Sequence, residues 1–397
     1  MTEYNKLTDK LINQIERTFG AETVIYNDKF ALEPFGKDEG AEFFALPELV
    51  FTPQDESNIK EILEIALKNK VPLTVRGGGT GVTGAAVPIF GGIVLNMQKL
   101  NKILDIDKKN FCVETQVGVI NKVLQDAVEK EGLFYPPDPN SLDNCTIGGN
   151  IATCAGGPRA VKYGITRNYV YNINAIFPNG AISNYGGRYE KTATGYNLTH
   201  LLIGSEGTLA IFYRAVLKLL LYPNKVIDLL ALFKSFEDAS NAIPKILAKN
   251  LQISVCEFID NRAIKYSEKF LNSKFQYSDE AAAQLLIQVD GFDEEEVEKI
   301  SERCAELLLE FNALDVFIAS DKKNKEKLWG MRRNLRDALK HIGKDKLGED
   351  VTVPRSRISE LLIGARKIGK LHKINVVSYG HTGDGNVHIN VVKDDLS

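Results

Sequence analysis

The stretch that decides the fold is residues 72–84, Pro-Leu-Thr-Val-Arg-Gly-Gly-Gly-Thr-Gly-Val-Thr-Gly. Its first part is a short apolar run typical of a buried strand, and its second part has too few side chains for a helix or a strand interior. Successive backbone N–H groups that no side chain covers can wrap a diphosphate, because glycine lets the backbone approach the anion. The alternative to an anion site is a glycine-rich connection that only allows the backbone to adopt positive φ angles.

The spacing of Gly79, Gly81 and Gly84 matches the G-x-G-x-x-G motif of a Rossmann dinucleotide site. That motif requires a helix to begin at its third glycine. Here Val-Pro-Ile-Phe-Gly-Gly follows at 87–92, and a proline with two further glycines cannot supply one. The sequence therefore argues against a Rossmann site.

A second irregular stretch lies further along the same domain. Tyr-Pro-Pro-Asp-Pro at 135–139 cannot form regular structure, and it leads into Thr-Ile-Gly-Gly-Asn at 146–150 and Ala-Gly-Gly-Pro at 155–158. Two such loops can enclose both sides of a large flat cofactor. Together they favour a dinucleotide over a mononucleotide.

Strand and helix patterns surround these loops. An apolar run at 49–51, a helical face with Ile59 and Ile62, and the strand at 71–76 predict a β-α-β unit. After residue 223 a strand, helix, strand pattern occurs twice, and two such units usually build one antiparallel sheet with helices on one face. The predicted divisions are a helical segment at 1–41, a first domain at 42–222 and a second domain at 223–397.

Composition excludes several classes of protein. The 397 residues contain 49 Lys and Arg against 52 Asp and Glu, so the totals show no basic footprint for nucleic acid. The five cysteines form no C-x-x-C pair, which fits reduced thiols in the cytoplasm. No secretory signal and no apolar run of about 18 residues is visible, so we predict a cytoplasmic protein without a transmembrane segment. Peripheral attachment to a membrane stays open.

Five motifs in order resemble a known family. They are Pro-Leu-Thr-Val-Arg-Gly-Gly-Gly-Thr-Gly (72–81), Tyr-Pro-Pro-Asp-Pro (135–139), Thr-Ile-Gly-Gly-Asn (146–150), Lys-Tyr-Gly (162–164) and Gly-Ser-Glu-Gly-Thr-Leu (204–209). The sequence resembles the FAD-linked 2-hydroxy-acid dehydrogenases of the vanillyl-alcohol oxidase type, which include the glycolate oxidase FAD subunit and the D-lactate and D-2-hydroxyglutarate dehydrogenases. The resemblance implies an α+β fold: a two-lobed FAD-binding domain of the PCMH type, then a ferredoxin-like α+β cap domain that binds substrate.

The resemblance also implies which residues bind FAD. They are Arg76, Gly77, Gly78, Gly79, Thr80, Gly81, Gly84, Pro137, Asp138, Thr146, Gly148, Gly149, Asn150, Gly157, Glu206 and Ile211. Some relatives attach the flavin covalently through a histidine in the first loop. Every histidine of this chain lies after residue 199, so we predict noncovalent FAD.

The stretch 379–390, Tyr-Gly-His-Thr-Gly-Asp-Gly-Asn-Val-His-Ile-Asn, predicts a hairpin that brings His381 near His388 and places Asn390 on the same strand face as His388. Two neutral imidazoles can ligate Zn²⁺ or another divalent metal, although two structural histidines are the alternative. The resemblance favours the metal, since G-H-x-G-D-G-N-x-H is the family's ligand motif. In the family a Glu-His pair follows, as third ligand and base. The present sequence ends before any such pair, so we expect either a truncated fragment or a variant with damaged catalysis.

Upstream, Trp-Gly-Met-Arg at 329–332 resembles the family's W-x-x-R, whose arginine binds the substrate carboxylate. The catalytic candidates are therefore Arg332, His381, His388 and Asn390, with Arg336 as a weaker candidate for the carboxylate. An ordinary surface arginine is the alternative for Arg332.

The hypothesis is FAD-dependent oxidation of a small D-2-hydroxy acid, such as glycolate or D-lactate, to the 2-oxo acid by hydride transfer to flavin N5. Electrons would pass to a separate iron–sulfur subunit or a quinone. The alternatives are a noncatalytic FAD-binding subunit of an oxidase complex and an FAD-linked D-2-hydroxyglutarate dehydrogenase.

Overall fold

The computed structural model describes residues 4–40, 42–275, 278–319, 321–342 and 345–393. The chain divides into two compact units: Met1–Gly156 with Ile165–Tyr222, and Gly157–Gly164 with Pro223–Ser397. Three ends of the predicted segments, Met1, Ala41 and Ser397, lie outside the described residues.

The first unit contains two main sheets. Strands β1 (Val24–Ile25), β2 (Leu49–Phe51), β3 (Leu73–Arg76) and β4 (Ile93–Asn96) form one sheet in the order β1-β2-β4-β3. Strands β5 (Ile103–Asp107), β6 (Cys112–Gln116), β8 (Val170–Ile176), β9 (Ile182–Gly186) and β10 (Ile211–Lys218) form an antiparallel sheet in the order β5-β6-β10-β8-β9. Two short strands, β7 (Leu133–Phe134) and β11 (Leu220–Leu221), pair separately.

The predicted β-α-β unit is confirmed, because β2 and β3 both pair in parallel with β4. Strand β1 pairs with β2, so the first 40 residues contribute a strand as well as helices. The helices of this unit are α1 (Asp9–Phe19), α2 (Lys29–Leu32), α3 (Glu56–Asn69), α4 (Asn121–Glu129), α5 (Ile147–Thr153) and α7 (Leu198–Leu202).

Helix α3 shows how the sequence specifies these elements. The Asp55 side chain accepts hydrogen bonds from the backbone N–H groups of Ser57 and Asn58 and caps the helix start. Ile59 and Ile62 are fully buried on one face. Burying each such side chain stabilises the fold by about 1.5–3 kcal/mol.

The second unit is built on one antiparallel sheet of seven strands. They are β12 (Lys225–Phe233), β13 (Ile253–Asp260), β14 (Ala283–Gly291), β15 (Asp315–Ala319), β16 (Asp345–Thr352), β17 (Asn375–Gly380) and β18 (Asn386–Lys393), in the order β15-β12-β14-β13-β17-β18-β16. The first four strands of the unit have the 4-1-3-2 order of a ferredoxin-like sheet. Strands β17, β18 and β16 extend that sheet beyond β13.

Helices cover both faces of this sheet, so the prediction of helices on one face is wrong. They are α6 (Ala160–Tyr163), α8 (Phe236–Leu247), α9 (Asn261–Leu271), α10 (Glu294–Glu310), α11 (Lys322–Arg333), α12 (Leu335–Ile342) and α13 (Ile358–His372). Phe258 of β13 packs in the core beneath α8, α10 and α13, whereas its neighbour Ile259 packs with α9 and α12 on the opposite face. All eight residues of β13 are buried for this reason. Within the described ranges, no helix is both long and apolar enough to cross a membrane.

Candidate active site

A cavity of about 210 Å³ in the first unit lies beside the glycine loop that follows β3. Its lining includes residues 77–81 of that loop, the start of α5 and the segment around Glu206. The glycine loop and the segment just before α5 approach each other so closely that side chains do not fit between them at Gly77 and Gly78. A Cβ on Gly77 would lie 2.3 Å from Thr146 Oγ1, and one on Gly78 would lie 2.2 Å from the carbonyl oxygen of Asn144.

The amides of this loop are available to a ligand. In the part of the chain that the structure describes, none of the backbone N–H groups of residues 77–81 donates a hydrogen bond to another group. Unpaired amides are rare unless water or a ligand satisfies them. A row of them along a cavity forms an anion-binding concavity, which suits a diphosphate.

A buried polar network holds the second loop. The side-chain amides of Asn121 and Gln125 in α4 both donate to the carbonyl oxygen of Pro137, at 3.1 and 3.0 Å. Asn150 in α5 donates to Asn121 Oδ1 at 3.1 Å. Helix α4 therefore fixes the proline-rich stretch and the start of α5 relative to each other.

A second cluster of polar side chains lies on the second unit's sheet. Strands β17 and β18 pair in antiparallel fashion and form the predicted hairpin. The ring centroids of His381 and His388 lie 5.4 Å apart, with the rings nearly perpendicular. His388 Nδ1 lies 3.2 Å from an Asp350 carboxylate oxygen, and its Nε2 is buried with no partner among the described residues. Burial lowers the pKa of His388, despite the opposing effect of Asp350, and so favours the neutral imidazole.

Glu257 of β13 joins this cluster to α11. One carboxylate oxygen lies 2.5 Å from His381 Nδ1, and the other accepts a hydrogen bond from Arg332 Nε at 2.5 Å. Burial alone would raise the pKa of Glu257, but the charges and hydrogen bonds of Arg332 and His381 outweigh burial and hold that pKa at about 2. The carboxylate is therefore ionised at neutral pH and forms a buried ion pair with Arg332.

The remaining donors of the cluster meet around Tyr379. The Arg332 guanidinium lies over the Tyr379 ring at 5.0 Å, and the His388 ring is 5.1 Å from the same ring. Arg332 Nη2 and Asn390 Nδ2 are both buried without a hydrogen-bond partner in the described chain. Buried polar groups normally have partners, so this cluster offers two donors and an imidazole nitrogen to a small polar ligand.

Comparisons with known proteins match both parts of the chain. A family model described as "FAD binding domain" matches residues 47–186, and one described as "FAD linked oxidases, C-terminal domain" matches residues 223–396. A D-lactate dehydrogenase of Anaerostipes hadrus is 37% identical over 401 residues, which cover 99% of this chain and 83% of that protein. The chain belongs to the FAD-linked oxidase family. Another member, the glycolate oxidase subunit GlcD of Bacillus subtilis, is 36% identical over 354 residues, 89% of this chain and 75% of that protein.

Solved structures of other proteins confirm the predicted PCMH-type fold. An alkyldihydroxyacetonephosphate synthase has a TM-score of 0.79 at 20% identity, covering 99% of this chain and 82% of that chain. A p-cresol methylhydroxylase has a TM-score of 0.76 at 14% identity, covering 98% and 84% of the two chains. At these identities the likeness concerns the fold alone.

The structure brings most of the FAD-binding candidates of this family member together at the cavity. Those that line it are Gly77, Gly78, Gly79, Thr80, Gly81, Thr146, Gly148, Gly149, Asn150 and Glu206. Six candidates are not part of the lining: Arg76, Gly84, Pro137, Asp138, Gly157 and Ile211. The Arg76 side chain donates to the carbonyl oxygens of Pro34 and Ala86, and Gly157 belongs to the second unit.

These residues fit the FAD that the family model implies. The free amides of residues 77–81 would face the pyrophosphate, and glycine is required at Gly77 and Gly78 because a Cβ there would meet the neighbouring loop. Noncovalent attachment of FAD remains a prediction.

His381 and His388 are the two residues that the sequence predicts as metal ligands. His381 and His388 each keep one ring nitrogen that the surrounding carboxylates do not engage, and imidazole suits Zn²⁺ and similar ions. No group of three potential ligands occurs among the described residues, so the metal stays a prediction.

Sequence reasoning missed Glu257 and Asp350, which orient the two histidines, and Asn121 and Gln125, which hold the second loop. Only the last two left a signal. They lie four residues apart on the buried face of α4, where polar residues require partners.

Proposed function

We propose that this FAD-linked oxidase oxidises a small D-2-hydroxy acid of the glycolate or D-lactate class to the corresponding 2-oxo acid. The relatives named D-lactate dehydrogenase and glycolate oxidase subunit support this substrate class. The observation that carries the proposal is the buried cluster around Tyr379, in which Arg332 Nη2 and Asn390 Nδ2 have no acceptor among the described residues. A 2-hydroxy acid supplies a carboxylate and an adjacent hydroxyl to such a cluster.

Arg332 would bind the substrate carboxylate. Its Nε donates to Glu257, which fixes the plane of the guanidinium, and its Nη2 is buried without an acceptor among the described residues. An arginine–carboxylate hydrogen bond is charge-assisted and therefore stronger than a neutral one. Glu257 acts here as a positioning residue.

The two histidines would bind the hydroxyl end of the substrate. Glu257 accepts from Nδ1–H of His381, and Asp350 does the same for His388, so both imidazoles would present the lone pair of Nε2. A divalent ion held by these two nitrogens would polarise the hydroxyl oxygen. Asn390 Nδ2 would donate to the same oxygen or to the carboxylate.

When bound, FAD supplies the acceptor for the hydride from the substrate Cα, and a base would take the hydroxyl proton. The electrons then leave to a separate acceptor, for which an iron–sulfur subunit or a quinone is the prediction.

Anaerobic flavin spectroscopy tests the proposal. The purified protein is loaded with FAD and mixed with glycolate, D-lactate, L-lactate or D-2-hydroxyglutarate in the absence of oxygen. We expect loss of the oxidised-flavin absorbance with glycolate or D-lactate and little change with L-lactate. Bleaching only by D-2-hydroxyglutarate would assign that substrate instead. Bound FAD that no hydroxy acid bleaches would support a noncatalytic FAD-binding subunit and refute the proposal. Metal analysis of the same sample tests the ion.

A further inference from the structure

The second unit contains another cavity, of about 350 Å³, next to the end of α13. Its walls are the C-terminal half of α13, the first turn of α9 and the beginning of β17. The residues of the cluster around Tyr379 do not line it in the described chain. It is therefore distinct from the hydroxy-acid site.

The lining of this cavity is strongly basic. Arg262, Arg366, Lys370 and Lys373 line it, against a single carboxylate, that of Asp260. The surplus of positive charge lies in a protein whose net charge is -3. An electropositive concavity of this kind attracts and concentrates anions.

The Asp260 carboxylate already accepts hydrogen bonds from the backbone. Asp260 accepts a hydrogen bond from the Ala263 N–H at 2.8 Å and another from the Ser378 N–H at 2.6 Å. It caps α9 and joins that helix to β17. Asp260 therefore has a structural role that does not require the four cations.

Local structure accounts for only some of the cations. Lys370 is in the last turn of α13 and Lys373 follows it, where the helix dipole favours positive charge. Arg262 is in the first turn of α9, where the dipole disfavours a cation. Arg366 stacks over the Phe236 ring at 4.3 Å. None of these four side chains forms a close ion pair with the described residues, although the charges of Arg262 and Arg366 oppose the rise that burial causes in the pKa of Asp260.

We propose that this basic cavity binds a small anion that carries a phosphate group. Guanidinium groups such as those of Arg262 and Arg366 match phosphate geometry with two parallel hydrogen bonds, and lysines add point charges. Phe236, Ile374 and Val376 contribute apolar surface for a short carbon skeleton. The volume lies within the range of about 300–1,000 Å³ that is usual for small-molecule sites.

Isothermal titration calorimetry on the FAD-loaded protein tests the site, because bound FAD keeps the probe out of the first unit's cavity. The probes are inorganic phosphate, pyrophosphate and glycerol 3-phosphate, each at constant ionic strength. We expect saturable binding of at least one probe that is at least about tenfold weaker in Arg366→Gln and in Arg262→Gln. Tighter binding of glycerol 3-phosphate than of inorganic phosphate would assign an organic phosphate. Equal binding would assign the phosphate group alone.

Two variants are used so that a loss of binding can be told apart from misfolding. Arg366→Gln also removes the contact with buried Phe236, whereas Arg262 is exposed and its replacement leaves the core intact. The matched control is Lys367→Gln, an exposed lysine of the same helix that does not line the cavity. No saturable binding by any probe would overturn the proposal. So would an affinity that Arg262→Gln leaves unchanged, or one that Lys367→Gln weakens equally.

Discussion

Replacing Glu257 by glutamine tests the buried ion pair on which the cluster around Tyr379 depends. Glu257→Gln keeps the size of the side chain and removes its charge. The glutamine amide has one acceptor oxygen where the carboxylate has two. Either Arg332 Nε or His381 Nδ1 therefore faces an NH₂ group and loses its acceptor.

The burial of both partners determines how much stability the Glu257→Gln variant should lose. Arg332 is 1% exposed and Glu257 is fully buried, so water cannot replace the lost partner. Removing one member of a buried ion pair destabilises a protein by about 3–5 kcal/mol, because the other charge stays buried without compensation. We also expect kcat/KM for the hydroxy acid to fall by about 10 to 100-fold, since Arg332 and His381 lose their fixed orientation.

The single tryptophan allows the loss of stability to be measured in the second unit alone. Trp329 is buried in α11, three residues before Arg332, and its Nε1–H donates to Asp228 at 3.2 Å. Its fluorescence during urea titration reports the unfolding of that unit, and the midpoint and slope give the free energy of unfolding.

The matched control is Glu302→Gln, an exposed acid on α10, for which we expect a change within about 0.5 kcal/mol. The double variant Glu257→Gln with Arg332→Met removes both charges, so we expect it to be more stable than Glu257→Gln alone. A loss below about 1 kcal/mol for Glu257→Gln, or strictly additive losses in the double variant, would refute the ion-pair argument.

Three further predictions concern Gly78, Arg332 and Asp260. Gly78→Ala places a Cβ 2.2 Å from a backbone carbonyl oxygen, so the purified variant should contain little flavin by absorbance, whereas Gly156→Ala, with its nearest neighbour at 3.5 Å, should retain it. Arg332→Lys keeps the charge but loses the planar guanidinium that can donate to Glu257 and to the substrate carboxylate at once, so KM for the hydroxy acid should rise about 10 to 100-fold, while Arg333→Lys should leave steady-state kinetics unchanged. Burial raises the pKa of Asp260 to about 6, so the folded protein binds this proton more tightly than the unfolded chain, and stability falls as the pH rises from about 4 to 6. Asp260→Asn should remove that contribution. In urea titrations the variant should therefore lose about 2 kcal/mol less free energy of unfolding, relative to wild type, near pH 7 than near pH 4.5. An equal loss at both pH values would contradict the raised pKa of Asp260.

Local sequence patterns were sufficient for the parts of the molecule that local physics determines. The glycine run at 77–81 permits only a loop, and its position after an apolar strand predicted the anion-binding amides. Likewise, apolar strands on both sides of a glycine-rich turn predicted the hairpin that brings His381 near His388. Each of these features depends on a few neighbouring residues.

Contacts between distant residues could not be predicted in this way. Glu257 lies within an apolar run, Ile-Ser-Val-Cys-Glu-Phe-Ile-Asp, and its partners Arg332 and His381 are 75 and 124 residues away. A single acid in a strand more often faces solvent. Only the folded sheet shows that this one is buried against two other elements.

The segment Gly157–Gly164 shows the same limit. It follows the second glycine loop in sequence but clusters with the second unit. Lys162 Nζ lies 2.5 Å from an Asp290 carboxylate oxygen, and Tyr163 Oη donates to the same oxygen at 2.8 Å. These partners are 128 and 127 residues apart, so no periodicity links them. For the same reason, Gly157 was predicted as part of the FAD site although it lies in the other unit.

A crystal structure of the FAD-loaded protein with a bound 2-oxo acid product, such as pyruvate or glyoxylate, tests the central claim most directly. We predict that the product carboxylate accepts a hydrogen bond from Arg332 Nη2 and that the 2-oxo oxygen lies next to His388 Nε2. A product bound elsewhere, with Arg332 Nη2 still lacking an acceptor, would contradict the account.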